Sequence, residues 1–264
     1  MVRGMYTAAS GALVAQSAVD TIANNLANVN TAGFKRTLLQ VQSQPERALY
    51  RFQTDPVQRP GGSVESAPVQ QLIGALGSGA QIYDTPADYG QGLLATTGND
   101  LDVALSGPGF FTLRDANGTV RYTRDGAFLR DQNGVLTAQN GDRVVNAAGT
   151  AIAIPQGGKV EIGRDGTVSV DGRAYDKLGI VEFANTTNLR PEGSNRFVDA
   201  GAGVRAAVNT STLQGSLEKS NADVVRSMVD LISNERWFDA NQKSIQTQDD
   251  AVAQAVQTVG RSTA

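Results

Sequence analysis

The 264-residue sequence contains no cysteine and no histidine. Without cysteine there is no disulfide, thiolate nucleophile, iron–sulfur cluster or cysteine-ligated zinc site. Without histidine there is no Ser-His-Asp triad, no imidazole base and no histidine-ligated metal. The two absences exclude most common catalytic centres and leave only carboxylate pairs, Ser-Lys dyads and oxygen-ligated cations.

Long apolar runs, aromatic residues and an excess of charge are also lacking. Aromatic residues make up 6% of the chain and the net charge is −3, so no general affinity for nucleic acid or an anionic membrane follows. No run approaches the ~18 apolar residues of a membrane-spanning helix. Residues 5–15 resemble a short signal-peptide core, but polar residues interrupt them and the apolar periodicity continues beyond, so we predict no cleaved signal.

The two ends of the chain carry apolar residues at alternating spacings of three and four. The N-terminal series is Met5, Ala8, Ala12, Ala15, Val19, Ile22, Leu26 and Val29. The C-terminal series is Val224, Met228, Leu231, Phe238, Ile245, Val252, Val256 and Val259. A repeat of about 3.5 residues is typical of coiled coils. We therefore predict one helix over residues 4–30 and another from about residue 220 to 260, whose apolar seams meet and join copies of the chain.

Polar residues interrupt the C-terminal series at Glu235, Gln242 and Asp249, seven residues apart. Burying an unsatisfied polar group costs roughly 1–3 kcal/mol, so a helix pair with this stripe is predicted to be weak alone. Either the stripe faces a hydrated space, such as the lumen of a tube, or neighbouring chains satisfy it. A third interpretation is a solvated face with the seam slightly rotated.

Asparagines cluster at the end of the first predicted helix, at Asn24, Asn25, Asn28 and Asn30. Asparagine is a mediocre helix former. Capping of the helix end accounts for Asn28 or Asn30. It does not account for Asn24 and Asn25, which we predict to donate hydrogen bonds across a subunit contact.

The middle of the chain reads as β structure. Six Asn-Gly or Asp-Gly pairs between residues 117 and 172 separate short β-prone runs, and such pairs favour hairpin turns. We predict an antiparallel sandwich or irregular barrel over residues 99–213, and an extended connector over 35–98 in which Pro56 and Pro68 break any element. The predicted class is α+β, with a discontinuous helical coiled-coil domain built from residues 1–34 and 214–264.

The remaining candidate chemistry is weak. Residues 74–79 are glycine-rich but lack the lysine of a phosphate-binding loop. Asp131 begins a run like a calcium loop that lacks its glutamate, so a hairpin turn is predicted there. Asp100 and Asp102 share a strand face, but no matched partner is evident and surface aspartates are predicted. We expect no catalytic residue, no metal, no cofactor and no small-molecule substrate.

Three blocks of sequence resemble the bacterial flagellar rod and hook family, of the FlgF/FlgG type. The first is residues 24–35, Asn-Asn-Leu-Ala-Asn-Val-Asn-Thr-Ala-Gly-Phe-Lys, which follow the predicted helix. The second comprises residues 98–111 and 122–128, and the third comprises residues 215–223 and 228–232. The blocks occur in the family's order and span most of the chain.

The resemblance implies a structural subunit of the flagellar basal-body rod. Such subunits are exported unfolded by the type III apparatus without a cleaved signal, and stack helically around a channel beside other rod and hook proteins. Their terminal helices form the inner tube, and the β domain faces outward. Two alternatives from other classes are a secreted β-domain binding module on a coiled-coil stalk and an enzyme that uses only carboxylates.

Overall fold

The computed structural model describes residues 2–58, 64–155 and 157–262. It has one long helix near each end of the chain and antiparallel strands between them, which confirms the α+β class. Within the described ranges, neither helix is both long and apolar enough to cross a membrane. The strands are β1 (Gln40–Ser43), β2 (Arg47–Gln58), β3 (Val64–Leu76), β4 (Ala80–Asp84), β5 (Leu94–Thr96), β6 (Val103–Ser106), β7 (Phe110–Arg114), β8 (Val120–Thr123), β9 (Phe128–Arg130), β10 (Leu136–Ala138), β11 (Arg143–Val144), β12 (Val160–Ile162), β13 (Thr167–Val170), β14 (Arg173–Lys177), β15 (Ile180–Phe183), β16 (Leu189–Gly193), β17 (Arg196–Asp199), β18 (Val204–Ala206), β19 (Ser211–Gln214) and β20 (Ser216–Glu218).

The first helix, α1, spans Val2–Ala27 and ends three residues before the predicted boundary. Its last α-helical hydrogen bond runs from Asn28 N to Asn24 O, and the next, from Val29 N to Leu26 O, already belongs to a tighter turn. Val29 was predicted as the last position of the helical seam. It lies in this turn instead, so that part of the prediction is wrong.

The second helix, α2, spans Val224–Ser262. Its cap is Asp223, whose Oδ1 accepts a hydrogen bond from Arg226 N at 3.0 Å. A carboxylate at this position also suits the positive end of the helix dipole. Ser220 and Asn221, the polar residues that precede Asp223, bond elsewhere: Ser220 Oγ accepts from Ala222 N, and Asn221 bonds to Arg36 N and Asp88 O.

The contacts divide the chain into two compact units. The first unit comprises Met1–Asp20, Leu39–Asp84 and Leu231–Ala264, and the second comprises Thr21–Leu38 and Thr85–Asp230. Both helices therefore cross from one unit to the other. The predicted division into terminal helices, connector and β domain remains a prediction about the assembled protein.

Two antiparallel strand pairs occupy the middle segment of the first unit. Strand β1 pairs with β4, and the long strands β2 and β3 pair from Arg47 opposite Leu76 to Gln58 opposite Val64. Pro56 lies within β2 and Pro68 within β3, so the expectation that they would break any element was wrong. A two-stranded ribbon leaves one edge of each strand unpaired, where proline's missing N–H costs no ladder bond. Residues 59–63, which include Pro60, lie outside the described residues.

Within the first unit the two helices pack antiparallel. A β-carbon built on Gly4 would lie 2.5 Å from Gln248 Oε1, and one on Gly11 would lie 3.0 Å from Asn241 Oδ1. The contact moves forward by seven residues on α1 and back by seven on α2. Glycine permits this approach because it has no side chain of its own. The coiled-coil geometry itself stays a prediction.

The second unit is built mainly of β structure. Its largest sheet has nine strands, with β16-β17-β8-β7-β11-β10-β9 along the main path and with β15 joining β7 to β18. A smaller sheet orders β12-β13-β14, while β6 pairs with β19 and β5 pairs with β20. Buried aliphatic side chains from both the nine-stranded and the three-stranded sheet meet in one core cluster. A second cluster is aromatic and packs Tyr89, Phe110, Tyr122, Phe183 and Phe197 edge to face.

Five of the six predicted turns are confirmed, since Gly118, Gly134, Gly141, Gly166 and Gly172 all have positive φ between paired strands. The exception is Asp125-Gly126, which does not close a hairpin. A β-carbon on Gly126 would lie 1.7 Å from Val103 O, so glycine here permits a close backbone approach instead of a turn.

Candidate functional site: a buried charge junction and an adjoining cleft

Glu218, at the end of β20, binds two cations from distant parts of the second unit. Its Oε1 accepts hydrogen bonds from Lys35 Nζ at 2.6 Å and Gly92 N at 2.7 Å, and its Oε2 accepts one from Arg124 Nη1 at 3.2 Å. The side chains of Lys35 and Glu218 are fully buried, and that of Arg124 is 2% exposed. We call Lys35, Arg124 and Glu218 the charge junction. It contains two cations and one carboxylate.

Burial dominates the electrostatics of the two cations. It lowers the pKa of Lys35, although the Glu218 carboxylate acts in the opposite direction. It likewise lowers the pKa of Arg124 against the attraction of Glu218. The Arg124 guanidinium also stacks 4.8 Å from the centroid of the Phe110 ring, which partly replaces the lost water.

Gly33 brings the backbone that follows α1 into the charge junction. Its N–H donates to Glu218 O at 2.7 Å, and its φ of +66° is left-handed. A β-carbon there would lie 2.4 Å from Asp125 N. A left-handed glycine therefore follows the end of α1, and its lack of a side chain lets the loop that carries Arg124 approach.

Two carboxamides hold extended backbone beside the charge junction. Asn25 Oδ1 accepts from Thr37 N at 2.9 Å, and its Nδ2 donates to Thr37 O at 2.8 Å. Asn221 joins the backbone of two separate segments, because its Oδ1 accepts a hydrogen bond from Arg36 N and its Nδ2 donates one to Asp88 O, both at 2.8 Å. Asn25 is thus bonded within the chain, and the predicted subunit contact remains a proposal for the exposed Asn24.

A cleft of about 500 Å³ adjoins the charge junction within the second unit. The end of α1, the turn between β10 and β11 and the turn between β16 and β17 all contribute to its walls. Its polar lining includes Asn24, Asn28, Gln139, Asn140, Ser194 and Asn195. No sequence pattern predicts this cleft, because its walls are brought together only by the tertiary fold.

Asp125 is a half-buried carboxyl that also lines the cleft. Burial raises its pKa from 3.8 to about 6, opposed by a hydrogen bond from Ala127 N and reinforced by the nearby Asp102. Asp102 is itself buried and accepts hydrogen bonds from Thr97 Oγ1 and Asn99 Nδ2. The prediction of a surface aspartate is therefore wrong for Asp102, which ties its own loop together, and correct for Asp100.

The predicted N-terminal seam lies largely on the less exposed face of α1. Ala8, Ala12 and Ala15 are buried, and the side chains that share their face are half-buried. These half-buried members are Met5, Val19, Ile22 and Leu26. Val14 is also buried but was not predicted. Whether these residues contact other subunits stays a prediction.

The predicted C-terminal seam divides into two sets. Leu231, Phe238, Ile245 and Val252 are half-buried, whereas Val224, Met228 and Val256 are exposed. The polar stripe, Glu235, Gln242 and Asp249, is also exposed. The side chain of Val259 lies outside the described residues.

The half-buried face of α2 continues instead through Asn234, Asn241 and Gln248. Each follows an apolar seam residue by three positions, whereas the predicted stripe follows by four. A seven-residue repeat accommodates either choice, so spacing alone did not distinguish them. The glycines of α1 could have indicated the correct face, because Gly4 and Gly11 leave room for the carboxamides of Gln248 and Asn241.

Three family models overlap the three blocks of sequence that resemble the flagellar rod and hook family. The family model described as flagella basal body rod protein matches residues 5–35. The flagellar hook protein FlgE/F/G D1 domain matches residues 104–170, and the flagellar basal body rod FlgEFG protein C-terminal domain matches residues 213–258. The fold and these three matches define a structural protein of the flagellar hook and rod class.

Curated relatives resemble the chain over nearly its full length. The flagellar basal-body rod protein FlgG of Bacillus subtilis is 34% identical, with 97% of this chain and 98% of that protein covered. FlgG of Buchnera aphidicola subsp. Schizaphis graminum is 33% identical, with 94% and 96% covered. The flagellar basal-body rod protein FlgF of Caulobacter vibrioides is 30% identical, with 99% of each covered. The chain belongs to the flagellar basal-body rod protein family.

Proposed function

We propose that this chain is a self-assembling subunit of the flagellar basal-body rod. Copies stack helically through their terminal helices around the export channel, and the resulting tube transmits torque to the hook. The partners are further copies of the chain, other rod and hook proteins, and the type III export apparatus that delivers the subunit without a cleaved signal. The family membership supports the location and the structural role.

The observation that carries the assembly proposal is the exposed apolar surface of both helices. On α2, Val225 is 73% exposed and Ile232 is 50% exposed. On α1, Tyr6 is 70% exposed and Leu13 is 65% exposed. Covering these apolar side chains by neighbouring chains stabilises the assembled state, by about 25 cal/mol per Å² of apolar surface removed from water. Polymerisation of the helices supplies that cover.

The charge junction supports the mechanical part of the proposal. The backbone after α1 and the segment that leads into α2 both bond to the same buried cluster, through Gly33, Lys35 and Glu218. Force applied at the C-terminal end of α1 or at the N-terminal end of α2 is therefore transmitted to the β structure through buried ionic bonds. We propose further that the exposed stripe Glu235, Gln242 and Asp249 faces the lumen of the tube.

Two substitutions on α2 test the assembly proposal. Ile232→Asp places a carboxylate on the exposed apolar surface, whereas Gln242→Glu adds the same charge to the polar stripe. We expect Ile232→Asp to abolish polymerisation and swimming, and Gln242→Glu to preserve both. Circular dichroism of each purified chain checks that helical content is equal. Normal rods and motility in Ile232→Asp cells would contradict the proposal, as would a fully helical wild-type chain that never polymerises.

A further inference from the structure

An asparagine followed by glycine can modify itself without an enzyme. The glycine main-chain nitrogen attacks the asparagine side-chain carbon Cγ, because glycine has no β-carbon to hinder the approach. The new N–C bond closes a succinimide ring, and the carboxamide nitrogen leaves as ammonia. Water then opens the ring at either carbonyl, which yields aspartate or isoaspartate. The chain contains three such pairs, at Asn117-Gly118, Asn133-Gly134 and Asn140-Gly141.

The three pairs lie in turns that share one hydrogen bond. In each turn the glycine N–H donates to the carbonyl three residues earlier, at 3.0 Å for Gly118, 3.1 Å for Gly134 and 2.9 Å for Gly141. This bond must open before the glycine nitrogen attacks, but it is common to all three and does not distinguish them. The rate at each site therefore depends on what else holds the turn closed.

Asn140 is held through its own carboxamide. Its Nδ2 donates to Asp142 Oδ2 at 2.8 Å, and its Oδ1 accepts from Asp142 N at 3.1 Å. Asp142 is buried and also accepts a hydrogen bond from Arg196 Nη1. Rotation of the Asn140 carboxamide toward Gly141 N breaks both of its bonds, one of them to a carboxylate, so ring closure is opposed there.

The turn of Asn133 is held through its glycine. Gly134 is buried, and its carbonyl accepts a hydrogen bond from Ile154 N at 2.7 Å. A β-carbon built on Gly134 would lie 2.7 Å from Ile154 O, so the main chain of another segment covers the attacking residue. Ring closure at Asn133 therefore requires that segment to move away as well.

Neither restraint applies at Asn117. Residues 116–120 are all exposed, and the Asn117 carboxamide has no hydrogen-bond partner among the described residues. A β-carbon built on Gly118 would meet nothing within 4 Å. We propose that Asn117 is a site of spontaneous deamidation in the folded chain, and that the fold protects Asn133 and Asn140 from the same reaction.

The two products differ in their effect on the turn. Asp115 Oδ1 accepts hydrogen bonds from Asn117 N at 2.9 Å and Thr119 N at 2.8 Å, and both donors are main-chain groups that an aspartate at 117 retains. Isoaspartate instead inserts an extra carbon into the main chain between these two donors. Either product adds one negative charge to a chain whose net charge is −3. The inference goes beyond the proposed function and does not depend on assembly.

The test is to incubate the purified full-length chain at neutral pH in heavy-oxygen water and to map its peptides by mass spectrometry over time. The oxygen taken up from that water separates deamidation during incubation from deamidation during digestion. We expect Asn117 to react at least about tenfold faster than Asn133 and Asn140, since each of those sites must break further hydrogen bonds. In concentrated urea the three sites should react at comparable rates, because the restraints are gone.

Two variants complete the test. Asn117→Gln has a longer side chain that closes a ring far less readily, so it should lose the modification and leave Asn133 and Asn140 intact. Asn117→Asp mimics one product and should have the urea midpoint of the wild type. Comparable rates at the three sites of the folded chain would overturn the proposal, as would a preference for Asn117 that persists unchanged in urea. An Asn117 that stays intact in the folded chain while all three sites react in urea would also overturn it.

Discussion

Lys35 Nζ and Glu218 Oε1 lie 2.6 Å apart although 183 positions separate the two residues in the sequence. Both side chains are fully buried, and Glu218 also binds Arg124. One carboxylate therefore joins the segment after α1, the middle of the β structure and the segment before α2. The stability of the second unit is expected to depend on this residue more than on any surface ion pair.

Replacing Glu218 by Gln leaves two buried cations without a carboxylate. Breaking a buried pair in this way costs about 3–5 kcal/mol, so urea unfolding of Glu218→Gln is expected to show a loss of that size. The matched control is Glu161→Gln, which removes an exposed carboxylate that pairs with Lys159 at 3.1 Å. The control should change the free energy of unfolding by less than about 0.5 kcal/mol.

Charge, not shape, is expected to explain most of that loss. Lys35→Met removes one of the two cations and leaves Arg124 and Glu218 as a one-to-one pair. It should therefore cost less than Glu218→Gln, and it should partly rescue Glu218→Gln in the double variant. Equal and additive losses in this cycle would contradict an electrostatic origin.

Asp125 predicts a pH dependence of stability. Its folded pKa of about 6 exceeds its ordinary value of 3.8, so the folded state holds the proton more tightly than the unfolded state. Its contribution is fully present below the ordinary pKa and is lost as pH rises through the folded pKa, by about 3 kcal/mol in total. Asp125→Asn keeps an oxygen that accepts the Ala127 N–H and removes the titration.

The measurement is the difference in free energy of unfolding between wild type and Asp125→Asn at several pH values from about 4 to about 7. Taking the difference cancels every other titrating group that the two proteins share. We expect the variant to gain relative to wild type as pH rises. A flat difference across this range would show that the Asp125 carboxyl titrates with an ordinary pKa.

Sequence patterns predicted the hairpin turns and the helices but not the groups that join them. Asn133-Gly134 and Asp171-Gly172 act locally, because two adjacent residues determine the backbone angles of a turn. The partners of Glu218 depend on where three distant segments meet, and no local spacing encodes that. The three blocks that carry the family resemblance do contain these residues, since Lys35, Arg124 and Glu218 each fall within one of them. The resemblance did not indicate that their charges meet.

Gly126 and Gly118 are required for different reasons, Gly126 for lack of space and Gly118 for its backbone conformation. A β-carbon there would lie 1.7 Å from Val103 O, whereas one on Gly118 would contact nothing within 4 Å although Gly118 has φ of +82°. Gly118→Ala should cost only the left-handed conformation, about 1–2 kcal/mol. Gly126→Ala must displace backbone and should lower the free energy of unfolding by more, about 3 kcal/mol or above. Thermal or urea unfolding of the two variants gives the comparison, and equal losses would contradict it.

Engineered cysteines test the helix register without background, because the chain contains no cysteine of its own. A β-carbon at position 11 would lie 3.3 Å from Asn241 Cγ, the place that a sulfur at position 241 would occupy. Gly11→Cys/Asn241→Cys should therefore form an intramolecular disulfide on mild oxidation, seen as a mobility shift on non-reducing gels. Gly11→Cys/Gln248→Cys, displaced by one heptad, should stay reduced under the same conditions because its cysteines are too far apart. Efficient crosslinking of the displaced pair, or a predominantly dimeric product from the first pair in dilute solution, would contradict antiparallel pairing of the two helices within one chain.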